Sequence, residues 1–211
     1  MQNVTAIEKT LDYQKKLRFL SQVFFNEADQ DLLDRLKSVE SLFDTDDPSI
    51  KEGLNTIKKF AEFPIDNAML ELAVDYTGLF AGTKIGCPLP YESVYTSEDG
   101  LLMQEANDQV LRIYRNEEFK DYLENNEPQD HISNELDFMA FLSQKLVDAL
   151  KNDEEESAKS YLDKQKIFLE QHLLNWVPSF CRDVEKKAST DFYLGIAKIT
   201  PGLLASLPGI D

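Results

Sequence analysis

Apolar residues recur along this chain in steps of three and four, the period of a helix with one buried face. Ile7, Leu11, Leu17, Leu20 and Phe24 follow that stepping with Lys and Glu between them, and "DQDLLDRLKSVESLF" (29–43) repeats it. The second run stops at "DTDDPS", where N-cap residues precede Pro48, a residue suited to the first turn of a helix. That helix is predicted over about 49–61, ending before Pro64. In the next run Met69, Leu72, Ala73, Tyr76, Leu79 and Phe80 make a wide apolar face, which Gly82 stops. Residues 81–99, "AGTKIGCPLPYESVYTSED", contain two Gly and two Pro and read as a long loop, with "YESVY" as a short, isolated strand.

Helical patterning resumes with "GLLMQEANDQVLRIYRN" and a short "EEFKDYLEN". The segment 131–150 is apolar on more than one stripe: Ile132, Leu136, Met139, Ala140, Leu146, Val147 and Leu150 form one face, and Phe138, Phe141 and Leu142 widen it. Such a helix belongs in the centre of a bundle. Pro128 and Asp130 supply its turn-former and N-cap, which puts His131 in the first turn. A further helix is predicted over about 154–175, Pro178 stands near the start of the next, and "TDFYLGIAKITPGLL" supplies the last. About eight to ten helices and one long loop predict an all-α, compact multi-helix bundle, a single domain over 1–211.

Composition narrows the function. A hydrophobic fraction of 42% suits a folded domain, and 39 acidic against 22 basic residues give a formal charge of −17. Such a surface repels nucleic acid and anionic membranes and attracts cations. The N-terminus lacks the basic and apolar regions of a signal peptide, and no apolar run is long enough for a membrane span. Cys87 and Cys181 lie far apart and read as free thiols in a reducing cytoplasm.

Chemical motifs are sparse. His131 and Glu135 are spaced i, i+4, yet zinc needs three or four ligands, and the other histidine, His172, has no paired-ligand context. Neither histidine has a Glu three residues before it, as carboxylate-bridged dimetal bundles require. No nucleophile elbow is present, and "GLFAGTK" (78–84) is one residue short of a phosphate loop and ends a helix instead of opening one. Asp130 and His131 side by side define no substrate pocket. Without further information, His131 reads as a histidine hydrogen-bonded to Asp130, Glu127 or Glu135.

One stretch nevertheless carries a family likeness. "EPQDHISNELDFMAFL" resembles the signature of the TorD/DmsD/NarJ chaperones, in which Glu-Pro-x-Asp-His opens an apolar helix; here the run is Glu127, Pro128, Gln129, Asp130 and His131. "YTGLF" (Tyr76, Leu79, Phe80) resembles the family's aromatic-x-x-Leu-Phe element, and "CPLPYESVY" its Pro-rich loop, through Pro88, Pro90 and Tyr91. "HLLNWVPSF" resembles its His-Leu-x-x-Trp segment, through His172, Trp176 and Phe180. The likeness spans about 70–205; residues 1–65 match only in helical character. Two departures are Gln129, where an acidic residue is common, and Tyr91, where some members carry Trp.

The resemblance implies a TorD-like bundle and a non-enzymatic role in the cytoplasm. Family members bind the twin-arginine leader of a molybdenum-cofactor oxidoreductase, some also contact the apoenzyme, and they hold it until cofactor is inserted and export begins. The implied partner-binding residues are Tyr76, Leu79, Phe80, Pro88, Pro90, Tyr91, Glu127, Pro128, Asp130 and His131, with Glu135, His172, Trp176 and Phe180 in support. Glu127 and Asp130 would pair with arginines, and an apolar groove rimmed by Tyr76, Pro90 and Tyr91 would take the apolar part of the leader. The resemblance also implies weak guanine-nucleotide binding, which no motif supports; no metal or cofactor is expected. Family members exchange C-terminal halves between protomers, so monomer and swapped dimer are both expected, with the hinge at 123–130. The alternative is a helical adaptor, or a weak nucleotide-binding protein, without a leader client.

Overall fold

A computed structural model of the chain describes residues 2–36, 39–43, 45–62, 67–83, 85–124 and 126–209. Pro64, Lys84 and Asn125, on which the expected helix end, the near-miss phosphate loop and part of the expected hinge rest, lie outside the described residues. The order is α1 (Gln2–Phe25), α2 (Gln30–Leu36), α3 (Val39–Leu42), α4 (Pro48–Glu62), α5 (Ala68–Phe80), α6 (Glu92–Thr96), α7 (Glu105–Asn116), a 3-10 turn (Asp121–Glu124), α8 (Ile132–Lys151), α9 (Glu155–Phe168), a π turn (Leu169–Leu173), α10 (Leu174–Lys187) and α11 (Asp191–Ala205). The fold is all-α: among the described residues the only β pairing noted outside the helices is an isolated antiparallel bridge between Tyr91 and His131. By internal contacts the chain divides into two units, one of residues 1–21, 91–176 and 206–211, the other of 22–90 and 177–205.

In the first unit α8 is buried as its pattern requires. Ile132, Leu136, Phe138, Met139, Ala140, Leu142, Leu146, Val147, Ala149 and Leu150 are all removed from solvent. α9 lies along it, with Ala158 and Leu162 set among Leu146, Ala149 and Leu150, and Gln165 donates to Ser143 Oγ across the pair at 3.0 Å. The first part of α1 is fixed by polar contacts, Gln14 to the Ala140 carbonyl at 3.2 Å and Arg18 to Asp137 at 3.0 Å. Tyr114, Phe119, Phe138 and Phe168 form an aromatic cluster with ring centroids 4.7–6.3 Å apart.

The second unit is organised by α4 and α11. Asp47 caps α4 as the "DTDDPS" cluster predicts, its Oδ1 accepting from the Ser49 and Ile50 amides at 2.9 and 3.1 Å. Gly53 on α4 and Gly195 on α11 face each other so closely that a Cβ on Gly195 would stand 2.6 Å from the Gly53 carbonyl oxygen. Asp75 of α5 is buried and takes the Ser189 and Thr190 amides and the Thr190 hydroxyl, so it anchors the turn before α11, whose cap is Thr190, accepting from the Tyr193 amide at 3.4 Å.

Four expectations change on inspection. Residues 92–96, expected as loop or strand, are helical, because Ser93 finds a side-chain acceptor at its amide (described below). α7 begins at Glu105 and not near residue 100; Gly100 and Met103 have φ of 61° and 56°, left-handed values that a helix cannot continue through. Pro178 lies inside α10, whose helical path runs on from α9 through the π turn, so the chain bends at a widened turn instead of stopping. Met69 of the expected apolar face is exposed, since α5 buries only the stripe containing Leu72, Leu79 and Phe80.

The Gly53–Gly195 approach yields a direct test. Gly195→Ala places a methyl within contact-violating distance of backbone, and overpacking of this kind costs about 1–3 kcal/mol. A urea midpoint lowered accordingly, at unchanged slope, is the expected result.

Candidate functional site

The signature segment lies in the first unit and is built against residues 91–93. The Glu92 amide donates to the Asp130 carbonyl at 3.0 Å, and the Ser93 amide donates to Asp130 Oδ2 at 2.8 Å. Asp130 therefore opens α6 and does not cap α8. The cap of α8 is His131, whose Nδ1 accepts from the Ser133 amide at 3.2 Å and lies 2.6 Å from the Ser133 hydroxyl. His131 Nδ1 is taken up by this local bond, because α8 leaves its first amides without intrahelical partners. The Tyr91 ring stands edge-on to His131 at 5.0 Å, and the Tyr91 hydroxyl donates to Glu127 Oε2 at 2.6 Å. Pro128 offers its carbonyl to the His131 amide and to Asn134 Nδ2, at 3.1 and 3.0 Å. Gln129 donates its amide to Asn107 Oδ1 at 2.8 Å.

Behind this surface three carboxyls are buried together: Glu92, Asp130 and Glu135. Glu92 Oε2 is 2.8 Å from His172 Nδ1, and Glu135 Oε2 accepts from the Trp176 indole at 3.1 Å. The Glu135 carboxyl is raised well above the usual range by burial first, then by the charge of Glu92. Asp130 is raised by burial too, although its bonds from Ser93 oppose the shift. Burial pushes His131 down to about 3, so its ring is neutral and free to accept at Nδ1. The resemblance residues of this unit are thus brought together: Tyr91, Glu127, Pro128, Asp130 and His131 in front, Glu135, His172 and Trp176 behind.

The remaining ones lie in the second unit and form its core. Leu79, Phe80, Phe180, Pro88 and Pro90 are buried, and Tyr76 is half-buried. Phe80 meets Tyr76 at 5.3 Å, Phe24 at 5.8 Å and Phe180 at 6.0 Å, and the Tyr76 hydroxyl donates to the Phe25 carbonyl at 2.7 Å. The apolar side chains that α5 exposes are Met69, Leu70 and Val74.

The arrangement offers hydrogen-bonding and electrostatic recognition. No group of three or more metal-ligating side chains is found among the described residues. Cys181 is buried, which pushes its thiol up and leaves it unreactive.

Comparison with known proteins agrees with the architecture. The family model described as nitrate reductase delta subunit matches residues 44–182. A chaperone protein TorD of Photobacterium profundum is 33% identical over 145 residues, covering 69% of this chain and 63% of that protein. A chaperone protein TorD of Vibrio cholerae is 30% identical over 192 residues, covering 86% of this chain and 83% of that one. The chain belongs to the TorD/NarJ family. A crystal structure of an Archaeoglobus fulgidus protein assigned to redox-enzyme maturation superposes with a TM-score of 0.55 at 23% identity, covering 89% of this chain and 91% of that one. The fold is therefore TorD-like, and the family is a non-enzymatic one whose curated relatives are named chaperones.

Within this TorD-like chain, Glu92, Ser93, Asn107 and Tyr114 shape the site without having stood out in the sequence. Glu92 follows Tyr91 directly, the single local signal that would have drawn attention to it.

His131 gives the segment a pH dependence of definite sign. Its folded-state value lies below the unfolded one, so the stability it confers is complete above about pH 6.5 and is lost as pH falls toward 3. Between about pH 7.5 and 5 that loss amounts to roughly 2 kcal/mol. In His131→Asn, which keeps a capping side chain, urea denaturation at the two pH values should show this component removed.

Proposed function

We propose that this chaperone binds the twin-arginine leader of a molybdopterin-containing oxidoreductase, holding the precursor in the cytoplasm for cofactor insertion before export. The observation that carries the reading is Glu127, a half-buried carboxylate set by the Tyr91 hydroxyl at the front of the signature segment. A guanidinium can meet such a carboxylate with two parallel hydrogen bonds, and the −17 charge of the chain draws cationic peptides toward it. Asp130 is fully buried, so Glu127 makes the first contact with an arginine and Asp130 acts through Ser93 and the bridge.

The apolar part of the leader needs exposed apolar side chains within reach of the same segment. Leu101, Leu102 and Met103 are exposed in succession, and the Gln104 amide that follows them donates to Ser93 Oγ at 3.0 Å. Burying two or three such side chains supplies about 1.5–3 kcal/mol each, and after the ordering cost this is compatible with micromolar affinity, about −8 kcal/mol. Tyr76, Leu79, Phe80, Pro88, Pro90 and Phe180 act in this reading by holding the second unit's core, and Pro128 by fixing the turn into α8. The 123–130 segment serves as hinge between monomer and swapped dimer.

A fluorescent synthetic peptide with two arginines followed by an apolar stretch, titrated at low salt, tests the proposal. Saturable binding that weakens with added salt and at least tenfold on Glu127→Gln is expected, since a hydrogen bond to a charged group contributes about 1.5–3 kcal/mol. The same loss should follow replacement of the peptide arginines by glutamine. Absence of any titration by molybdoenzyme leaders would refute it.

A further inference from the structure

The buried carboxyls behind the signature segment are unusual in what they lack. With all of them ionised, Glu135 Oε1 and Asp130 Oδ1 have no hydrogen-bond donor, although both are sealed from water. Unpaired buried acceptors of this kind call for an explanation, because each costs the full desolvation of a charged group. The charges acting most strongly on Glu135 are Glu92 and Asp130, both negative. The negative charge of Glu92 favours a proton on Glu135, and a proton held between the two carboxyls would give Glu135 Oε1 the partner it lacks.

Every element around this group contributes to its balance. α6 brings Glu92, the turn before α8 brings Asp130 and the neutral His131, and α8 brings Glu135. α7 brings the Tyr114 phenol, held in its protonated form by burial first and then by Glu135, Asp130 and Glu92. The π turn brings His172 against Glu92, and α10 brings the Trp176 indole against Glu135. Glu92 is also the residue whose amide closes the bridge to Asp130, one position after Tyr91.

We propose that Glu92, Glu135 and His172 form a proton-holding positioning unit that keeps the Tyr91–His131 bridge closed, and that loss of the proton opens it. The unit regulates the segment read above as leader-binding, and in that respect it rests on that reading. The proton lies between the Glu135 and Glu92 carboxyls and leaves to solvent. Its departure sets two carboxylates against each other beside Asp130. The repulsion is relieved by moving Glu92 away, and the amides of Glu92 and Ser93 then leave Asp130. Glu135 is held above its unfolded value, so the closed state is complete at low pH and is lost as pH rises through the folded value.

Trp176, the only tryptophan of the chain, reports on Glu135 directly through its indole bond. Its emission should change reversibly as pH is raised, with far-ultraviolet circular dichroism unchanged. Across the same transition, protection of the Glu92 and Ser93 amides against hydrogen exchange should fall at least tenfold. Glu135→Gln, which retains a donor toward Glu92 without a titrating proton, should abolish both changes. Glu92→Gln, which removes the opposing charge, should move the emission change to lower pH and serves as the second variant. A wild-type emission that does not titrate, a transition that persists in Glu135→Gln, or amide protection constant across the transition would overturn the proposal. These readouts need no peptide, so they decide on the unit independently of leader binding. With the twin-arginine peptide as probe, affinity should differ at least threefold across the transition in the wild type and stay constant in Glu135→Gln; equal affinity throughout would remove the regulatory role.

Discussion

Two consecutive backbone amides, those of Glu92 and Ser93, converge on one residue, Asp130, and the geometry of the candidate site depends on that pairing. A carbonyl and a carboxylate of the same residue bind chain that lies 37 positions away in sequence for the Ser93 contact. Tyr91 is thereby set against His131, its hydroxyl against Glu127, and Glu92 against His172. Because Asp130 is occupied in this way, the duty of capping α8 passes to His131, which must stay neutral to perform it. A family signature thus acquires physical content: Asp130 joins segments, His131 starts a helix, and Glu127 faces outward.

The two units handle buried acid differently. Asp75 in the second unit has both oxygens engaged by the Ser189 and Thr190 groups, and such a satisfied carboxylate holds the turn before α11 rigidly. Asp130 and Glu135 in the first unit each keep one oxygen without a donor. A network left partly satisfied is high in energy and ready to rearrange. The rigid example sits with the close-packed glycines of α4 and α11, where nothing in the proposed function needs to move, and the partly satisfied one sits behind the segment proposed to meet a client.

Much of the fold was legible because its cause is local. α8 announces itself by apolar residues on nearly all sides, and the start of α4 by an acidic cap before Pro48. What escaped depends on partners distant in sequence. α6 is five residues long and follows two prolines, and its amide acceptor comes from Asp130. Glu92 reads as one more surface acid in a chain of charge −17, and only folding places it beside His172 and Glu135. Asp130 looks like a cap by position, one residue early, because the side chain that really caps α8 is an imidazole, an uncommon choice. The motif likeness pointed to the candidate segment; it left open which of its residues face solvent, and the separation of Glu127 from Asp130 came from burial.

The π turn at Leu169–Leu173 bears on how related chains are to be compared. A helix acquires such a turn by accommodating one additional residue without breaking, so the faces before and after it are offset by about a quarter turn relative to a regular helix. His172 lies within the widened turn and Trp176 just past it. Counting apolar residues at a constant 3.6 spacing from α9 into α10 therefore assigns the wrong face to everything after residue 173. In a relative whose helix is regular here, the missing residue belongs inside 169–173, and an alignment gap placed in the flanking loops would match side chains that occupy different sides of the helix.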